Sequence, residues 1–271
     1  MVSGNPIFIG GVPRSGTTLL RVILDTHPRI VCGTELRAVN ALASLWSSAD
    51  LHSGRVLHEA YALPPDSVRA IFSELILSFL LPSWKASGKP RIAEKTPSNI
   101  LVFPELRQLF PDSPLIHVLR DVRDVVASRL ERDRESAGAS FDAVATARLR
   151  AREWTTTMQI RRRMLEDANL ASAYYELRYE DLVAHPENTL RGLFEFIGER
   201  FDTDVLSFHR VARNVSGTEE WSAQAVQRSI FKSSVGRWRT VLGKAEIQAI
   251  FDEAADASRE LGYVLDEGAV E

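Results

Sequence analysis

The stretch PIFIGGVPRSGTTLLRVILDTHP, residues 6–28, indicates a strand, a glycine-rich turn and a helix in direct succession. The run PIFIGG is apolar and ends in glycines, whereas TTLLRVILDTHP carries apolar residues at helical spacing and stops at Pro28. This order is the frame of a phosphate-binding loop, in which backbone N–H groups converge on an anion and the helix dipole adds to the attraction. The segment therefore predicts a site for a phosphate-like group.

The loop departs from the pattern G-x-x-x-x-G-K-[ST] of nucleoside triphosphatases. Counted from Gly11, the lysine position is occupied by Thr17, and a cation appears three residues earlier as Arg14. A later strand ends in VLRD, so Arg120 stands where a metal-binding carboxylate would serve a triphosphate. These features favour a metal-free nucleotide with one 5′-phosphoryl group carrying a second anionic centre. The predicted donors are Arg14, Ser15, Gly16, Thr17 and Thr18.

Three further segments, PRIAEK, SPLIHVLRD and SAYYELRYEDLV, are strand candidates separated by helical patterns. Helices are predicted from about Glu35 through LRAVNALASLW, over Pro65–Trp84 and over about 141–168. Strands that alternate with helices are typical of a parallel sheet, and no linker interrupts the chain. We therefore expect one α/β domain over residues 1–271.

The composition narrows the partners and the compartment. The 271 residues are 45% hydrophobic and carry a formal net charge of −3, which implies no global attraction to nucleic acid or an anionic membrane. A single cysteine, Cys32, fits a reducing compartment, and the N-terminus lacks a charged leader. The longest apolar run, IFSELILSFLL, contains Glu74 and is expected to be a core helix. A cytoplasmic location without membrane anchor follows as an expectation.

Metal binding is not expected from the histidines. Only His52 and His58 approach metal-ligand spacing, and both are placed in a polar loop without an acidic or cysteine partner.

The segment FIGGVPRSGTTLLRVILDTHP, followed by CGTELR, resembles sulfotransferases that use 3′-phosphoadenosine 5′-phosphosulfate (PAPS), most closely the tyrosylprotein sulfotransferases. The resemblance recurs in EKTPSN, VLRDVRDVVAS and YEDLV and weakens after about residue 200. It implies a P-loop-like three-layer fold with a central parallel sheet of four to five strands flanked by helices. It also implies PAPS as co-substrate, 3′,5′-adenosine bisphosphate as product, and no metal.

The resemblance also implies roles for individual residues. Arg14 would contact the 5′-phosphosulfate, and Arg120 and Ser128, eight residues apart, would hold the 3′-phosphate. Glu35 corresponds to the general base of the tyrosylprotein enzymes, although Thr34 could equally cap a helix with Glu35 in its first turn. Lys95 would neutralise charge on the leaving oxygen.

Other positions separate the branches of the family or match it loosely. Cytosolic sulfotransferases carry a histidine base two residues after the lysine, where this chain has Pro97, and this favours Glu35 as the base. Ser229 resembles a serine that supports the leaving phosphate, and Lys232 a basic residue of the 3′-phosphate or adenosine site. Tyr179 matches a tyrosine near the adenine, and a place in the core is an equal alternative.

The sequence therefore predicts transfer of a sulfuryl group from PAPS to an acceptor hydroxyl. The acceptor is a protein or peptide tyrosine or, alternatively, a carbohydrate, lipid or small-molecule alcohol. A divergent phosphotransferase and a non-catalytic nucleotide-binding module stay open as remoter alternatives. A homodimer is an open alternative to a monomer. The tyrosylprotein enzymes are membrane-anchored and disulfide-bonded, features not seen here, so a bacterial-type relative is expected.

Overall fold

A five-stranded parallel sheet forms the centre of the protein. The computed structural model describes residues 5–137, 141–211 and 232–263. The strands are β1 (Ile7–Gly11), β2 (Ile30–Cys32), β3 (Arg91–Lys95), β4 (Leu115–Leu119) and β5 (Tyr174–Arg178), in the spatial order β2-β3-β1-β4-β5. Every neighbouring pair is parallel, so β1 lies in the middle between β3 and β4.

Helices connect the strands and cover the sheet. They are α1 (Thr17–Thr26), α2 (Ala38–Tyr61), α3 (Pro65–Ser87), α4 (Phe103–Leu109), α5 (Val122–Ala137), α6 (Ala143–Glu166), α7 (Ala168–Ala171), α8 (Tyr179–Ala184), α9 (Pro186–Phe196), α10 (Trp238–Val241) and α11 (Lys244–Glu260). Three 3₁₀ segments, Pro97–Val102, Thr203–Arg210 and Lys232–Ser234, complete the described elements.

Alternate residues of the central strand enter different parts of the core, which shows that both faces of the sheet are covered. Ile7 and Ile9 belong to a cluster that includes α1 and α9, whereas Phe8 packs with residues of α2, α3 and α4. Successive side chains of a strand point to opposite faces, so fully apolar strands are expected between two helical layers. The predicted three-layer α/β fold is confirmed.

A third apolar cluster lies beside the sheet and orders the C-terminal elements. Residues of α5, α6 and α11 pack there with Trp238 of α10, which is 2% exposed. Because Trp238 packs in this cluster, the segment that begins at Lys232 lies near the carboxyl end of β4. That segment forms one wall of the site described below.

The predicted helix after Glu35 begins later and extends further than the sequence suggested. Helix α2 starts at Ala38 and ends at Tyr61, so Glu35 precedes the helix. The N-cap residue is Arg37 and makes no side-chain capping bond, so the expected cap by Thr34 is not formed. His52 and His58 lie within this helix, so their predicted placement in a loop was wrong.

Helix α3 is a long apolar helix with a partly exposed face. Ile76, Leu80 and Trp84 are buried, whereas Ile71 and Phe79 are each 51% exposed. By length and composition alone this 23-residue helix could cross a membrane, and 17% of its most apolar window is buried. The expected core helix is therefore longer and more exposed than predicted.

Candidate active site

The loop between β1 and α1 is a tight turn whose geometry exposes backbone donors. Ser15 closes the turn because its backbone N–H and its Oγ both donate to the carbonyl of Val12, at 3.0 and 2.7 Å. The first α-helical bond runs from Leu20 N to the carbonyl of Gly16. The N–H groups of the three residues between Gly16 and Leu20 precede that bond and have no acceptor inside the helix. They form the expected anion-binding N-terminus.

Gly16 is required by the backbone and by the neighbouring aromatic ring. Its φ is 104°, and a Cβ at this position would lie 2.4 Å from Cδ2 of Tyr179. Tyr179 is the first residue of α8, directly after β5, and its ring therefore packs against the loop. The structure brings Tyr179 to the predicted nucleotide site.

Arg14 has a left-handed backbone, with φ 79°, which is uncommon for a residue with a side chain. Its Nε donates to Oγ of Ser128 at 2.9 Å, and its carbonyl accepts from Nη1 of Arg120 at 2.9 Å. Burial, followed by the charges of Arg120 and Arg132, lowers the pKa of the Arg14 guanidinium. Positive charge is thus concentrated around the loop, as a site for a multiply charged anion requires.

Arg120 is held through two of its three guanidinium nitrogens, and the third has no partner among the described residues. The side chain follows β4, is 7% exposed, and also donates through Nη2 to the carbonyl of Ser234 at 2.5 Å. Its guanidinium lies 4.4 Å from the centre of the Tyr179 ring. Nε of Arg120 is buried and has no hydrogen-bond partner among the described residues. A buried unpaired donor is costly, so this atom indicates a place for a bound acceptor.

The segment after Lys232 closes the site, and sequence reasoning missed most of its residues. The Asp124 carboxylate accepts the backbone N–H groups of Gly236 and Trp238, at 2.8 and 3.0 Å. Oγ of Ser234 lies 2.6 Å from the Tyr179 hydroxyl. The lack of periodicity between residues 214 and 237 hid these contacts, and the only available signal was the abundance of serine and basic residues there.

Ser229 and Lys232 were also predicted to belong to the site. Ser229 lies outside the described residues. Lys232 begins the 3₁₀ turn Lys232–Ser234 and is next to Ser233, which lines the cavity. The predicted roles of Ser229 and Lys232 stay predictions.

A cavity of about 550 Å³ joins these groups, a volume typical of sites for small molecules and nucleotides. It is lined by Arg14, Gly16, Thr17, Thr18, Leu19, Arg120, Asp124, Ala127, Ser128, Tyr179, Ser233, Ser234, Arg237 and Thr240. Ser15, also predicted as a donor, is buried inside the turn, at 1% exposed.

A lysine–glutamate pair stands at the edge of this cavity. Nζ of Lys95, the last residue of β3, lies 2.8 Å from Oε1 of Glu35 and 3.5 Å from Oγ1 of Thr18, which lines the cavity. The Lys95 side chain is fully buried, and that of Glu35 is 23% exposed. The structure thus brings together two residues that are 60 positions apart in the chain.

In the ranges 5–137, 141–211 and 232–263, no three His, Cys, Asp or Glu side chains are grouped so that they could hold a metal ion.

Comparison with known proteins identifies the class of the protein. Residues 6–203 match the family model described as "Sulfotransferase family", and the chain belongs to that family. Among solved structures, the sulfotransferase domain of the curacin biosynthetic pathway superposes with a TM-score of 0.65 at 21% identity, covering 97% of this chain and 99% of that one. The sulfotransferase domain of the Synechococcus PCC 7002 olefin synthase superposes with a TM-score of 0.61 at 22% identity, covering 93% and 95%.

Sequence relatives point to one branch. The chain is 28% identical over 262 residues to a putative protein-tyrosine sulfotransferase of Caenorhabditis briggsae, covering 95% of this chain and 88% of the relative. It is 30% identical over 269 residues to protein-tyrosine sulfotransferase 1 of Danio rerio, covering 95% and 72%. The predicted resemblance to sulfotransferases, and to the tyrosylprotein enzymes among them, is confirmed.

Proposed function

We propose that this sulfotransferase transfers a sulfuryl group from PAPS to the hydroxyl of a protein or peptide tyrosine. One observation carries the proposal: a single cavity is lined by Arg14, Arg120 and Ser128, and the Glu35–Lys95 pair stands at its edge. Nε of Arg120 is buried without a hydrogen-bond partner among the described residues. The reaction has two requirements. One is a group that binds a second phosphate, and the other is a pair of side chains suited to proton and charge transfer.

The described residues fit the nucleotide. The N-terminus of α1 and Arg14 would hold the 5′-phosphosulfate, because N–H donors and a guanidinium recognise such oxygens. Arg120 and Ser128 would hold the 3′-phosphate from the end of β4 and from α5, and Tyr179 offers a ring beside them. Bound in this way, PAPS supplies an activated sulfuryl group.

Glu35 is proposed as the general base for in-line transfer. A phenol with a pKa near 10 is a weak nucleophile at neutral pH, and a positioned carboxylate removes its proton as the new bond to sulfur forms. The bond from sulfur to the bridging oxygen breaks, and that oxygen leaves with the electron pair. Glu35 holds the proton at its carboxylate.

Lys95 is proposed to stabilise the leaving oxygen, and its pairing with Glu35 links the two events. Before transfer the ammonium of Lys95 faces a carboxylate at 2.8 Å. Once that carboxylate is protonated, its attraction for Lys95 falls, and the buried ammonium is available for the negative charge that develops on the leaving oxygen. Stabilisation of this kind is strong where water is excluded.

The decisive experiment is a transfer assay with ³⁵S-labelled PAPS and three acceptors, a tyrosine peptide, a simple phenol and a sugar, in EDTA and in magnesium. We expect labelling of the peptide in both buffers. Glu35→Ala should lower kcat by about 10²- to 10⁴-fold and leave nucleotide affinity nearly intact. The control is Glu59→Ala, which removes a carboxylate from an exposed ion pair on α2 outside the cavity lining.

Other results would replace parts of the proposal. Labelling of the sugar alone would change the acceptor class, and full turnover by Glu35→Ala would remove the base assignment. Preference for ATP with magnesium would indicate a phosphotransferase, and bisphosphate binding without transfer to any acceptor would indicate a nucleotide-binding module.

A further inference from the structure

Glu94 is a buried acid that lies directly before Lys95 in β3, and the proposed reaction does not use it. Glu94 is 3% exposed. Burial raises the pKa of the Glu94 carboxyl, while hydrogen bonds from Thr96, Asn99 and the backbone of Leu36 oppose that rise. A buried carboxylate is costly unless it is fully hydrogen-bonded, so its partners matter.

The partners of Glu94 come from two separate parts of the chain. Oε1 accepts from the backbone N–H of Leu36 at 3.1 Å and from Oγ1 of Thr96 at 2.7 Å. Oε2 accepts from Nδ2 of Asn99 at 2.5 Å. The first of these bonds spans 58 positions and is the only one of the three that leaves the segment around β3.

Leu36 follows Glu35, so its anchored N–H fixes the backbone that carries the proposed base. The segment before α2 is otherwise a loop, and its orientation depends on such contacts. A second bond follows one turn later, from Nδ2 of Asn40 to the carbonyl of Ser98 at 2.8 Å. Together the two bonds hold the start of α2 against the end of β3 and the 3₁₀ segment that follows it.

We propose that Glu94 is a positioning residue for sulfuryl transfer. Its carboxylate ties the Leu36 amide to β3 and thereby sets the separation of Glu35 and Lys95. The inference rests on the proposed function, because it assigns Glu94 an effect on the rate through Glu35. A displacement of about 1 Å at a reacting group can reduce a rate by about 100-fold, so the predicted effect is measurable.

Two substitutions separate the anchoring role from the charge of Glu94. Glu94→Ala removes both oxygens and releases the Leu36 amide. Glu94→Gln retains an oxygen that can accept from Leu36 and Thr96, and its new NH₂ group would face Asn99. Oδ1 of Asn99 is buried without a hydrogen-bond partner in the described part of the chain, so a flip of that amide would give the new donor an acceptor.

The experiment measures kcat, acceptor KM and bisphosphate affinity for both variants, in the parent and in the Glu35→Ala background. We expect Glu94→Ala to lower kcat by about 10- to 100-fold in the parent, with bisphosphate affinity changed by less than about threefold. Glu94→Gln should recover most of the loss. In the Glu35→Ala background, Glu94→Ala should have almost no further effect, because residues that act as a unit are not additive.

The control is Thr157→Val, which removes a buried hydroxyl in α6 whose hydrogen bond, among the described residues, is to the carbonyl of Trp154 in the same helix. If Glu94→Ala does not fold, Asn40→Ala releases the second bond instead and should lower kcat in the parent but not in the Glu35→Ala background. An equal fractional loss of kcat in both backgrounds would overturn the role of Glu94, and so would an equal loss of kcat in Glu94→Gln and Glu94→Ala. Either result would leave the proposed function intact. Absence of turnover in the parent protein would overturn the proposed function and this inference together.

Discussion

Removal of the Arg120 side chain tests whether this residue reads a 3′-phosphate. The guanidinium is fixed by the carbonyls of Arg14 and Ser234 and by the ring of Tyr179, and its Nε has no partner among the described residues. We therefore predict that Arg120→Met lowers the preference of the protein for 3′,5′-adenosine bisphosphate over AMP. The two ligands differ only in the 3′-phosphate.

The size of the effect follows from the donor that Arg120 offers. A hydrogen bond to a charged group contributes about 1.5–3 kcal/mol. Because about 1.4 kcal/mol corresponds to a factor of ten, the preference for the bisphosphate should fall by about 10- to 140-fold. Arg120→Lys should fall less, because it keeps the charge but loses the planar set of donors.

The assay is isothermal titration calorimetry of the parent and both variants with each ligand, at one salt concentration. Arg120 also supports the backbone of Arg14 and Ser234, so its removal can weaken AMP as well, and the ratio of the two affinities isolates the phosphate contact. Arg191→Met, in an exposed ion pair on α9, is the control. An unchanged ratio in Arg120→Met would refute the assignment of the 3′-phosphate to Arg120.

Three further perturbations test the loop and the core. Arg14→Gly should be more stable to urea than Arg14→Ala by about 1 kcal/mol, because glycine accepts the left-handed backbone, while both lose nucleotide affinity; equal stability would argue against strain at this position. Gly16→Ala should weaken bisphosphate binding by at least about tenfold, because its Cβ meets the Tyr179 ring, and Tyr179→Ala should restore part of the loss. Burial lowers the pKa of His117 to about 3, so below pH 6.5 the unfolded chain gains a proton that the folded protein does not. The free energy of unfolding should therefore fall from pH 6.5 towards pH 3, and it should fall less in His117→Gln. Urea unfolding of both proteins at pH 7 and pH 4 measures this difference.

Strands β1 and β4 were predictable because buried parallel strands are mostly apolar along their length. Strands β3 (RIAEK) and β5 (YYELR) contain charged residues, and they were predicted as strands that alternate with helical patterns. Strand β2, Ile30–Cys32, was not identified individually because three residues are too few to show a pattern. Helix α2 begins at Ala38 and not near Glu35, and the Leu36 amide before it bonds to a side chain 58 positions away. Local propensity contains no information on such a contact.

The residues of the candidate site also differ in how far the sequence could predict them. The loop could be predicted from the sequence because it depends on one turn, whereas the pairing of Arg120 with Ser128 was implied by the resemblance and is consistent with their spacing along one strand end and one helix. The meeting of Glu35 with Lys95 followed only from resemblance, because it joins residues from different elements. Ser234 and Asp124 were missed for a related reason: the segment that contains Ser234 has no periodicity, and Asp124 acts by holding that segment through backbone N–H groups.

The strand order explains why two cations that are 25 positions apart lie on either side of one loop. Parallel strands end at the same edge of the sheet, and ligands of such sheets bind where the connections diverge to opposite sides. Here β1 lies between β3 and β4, so its loop is flanked by Lys95 on one side and by Arg120, which follows β4, on the other. A ligand that lies across the loop therefore meets a buried ammonium near the proposed base and a buried guanidinium at its far end. The proposed division between transfer chemistry and nucleotide recognition thus follows from the topology of three strands.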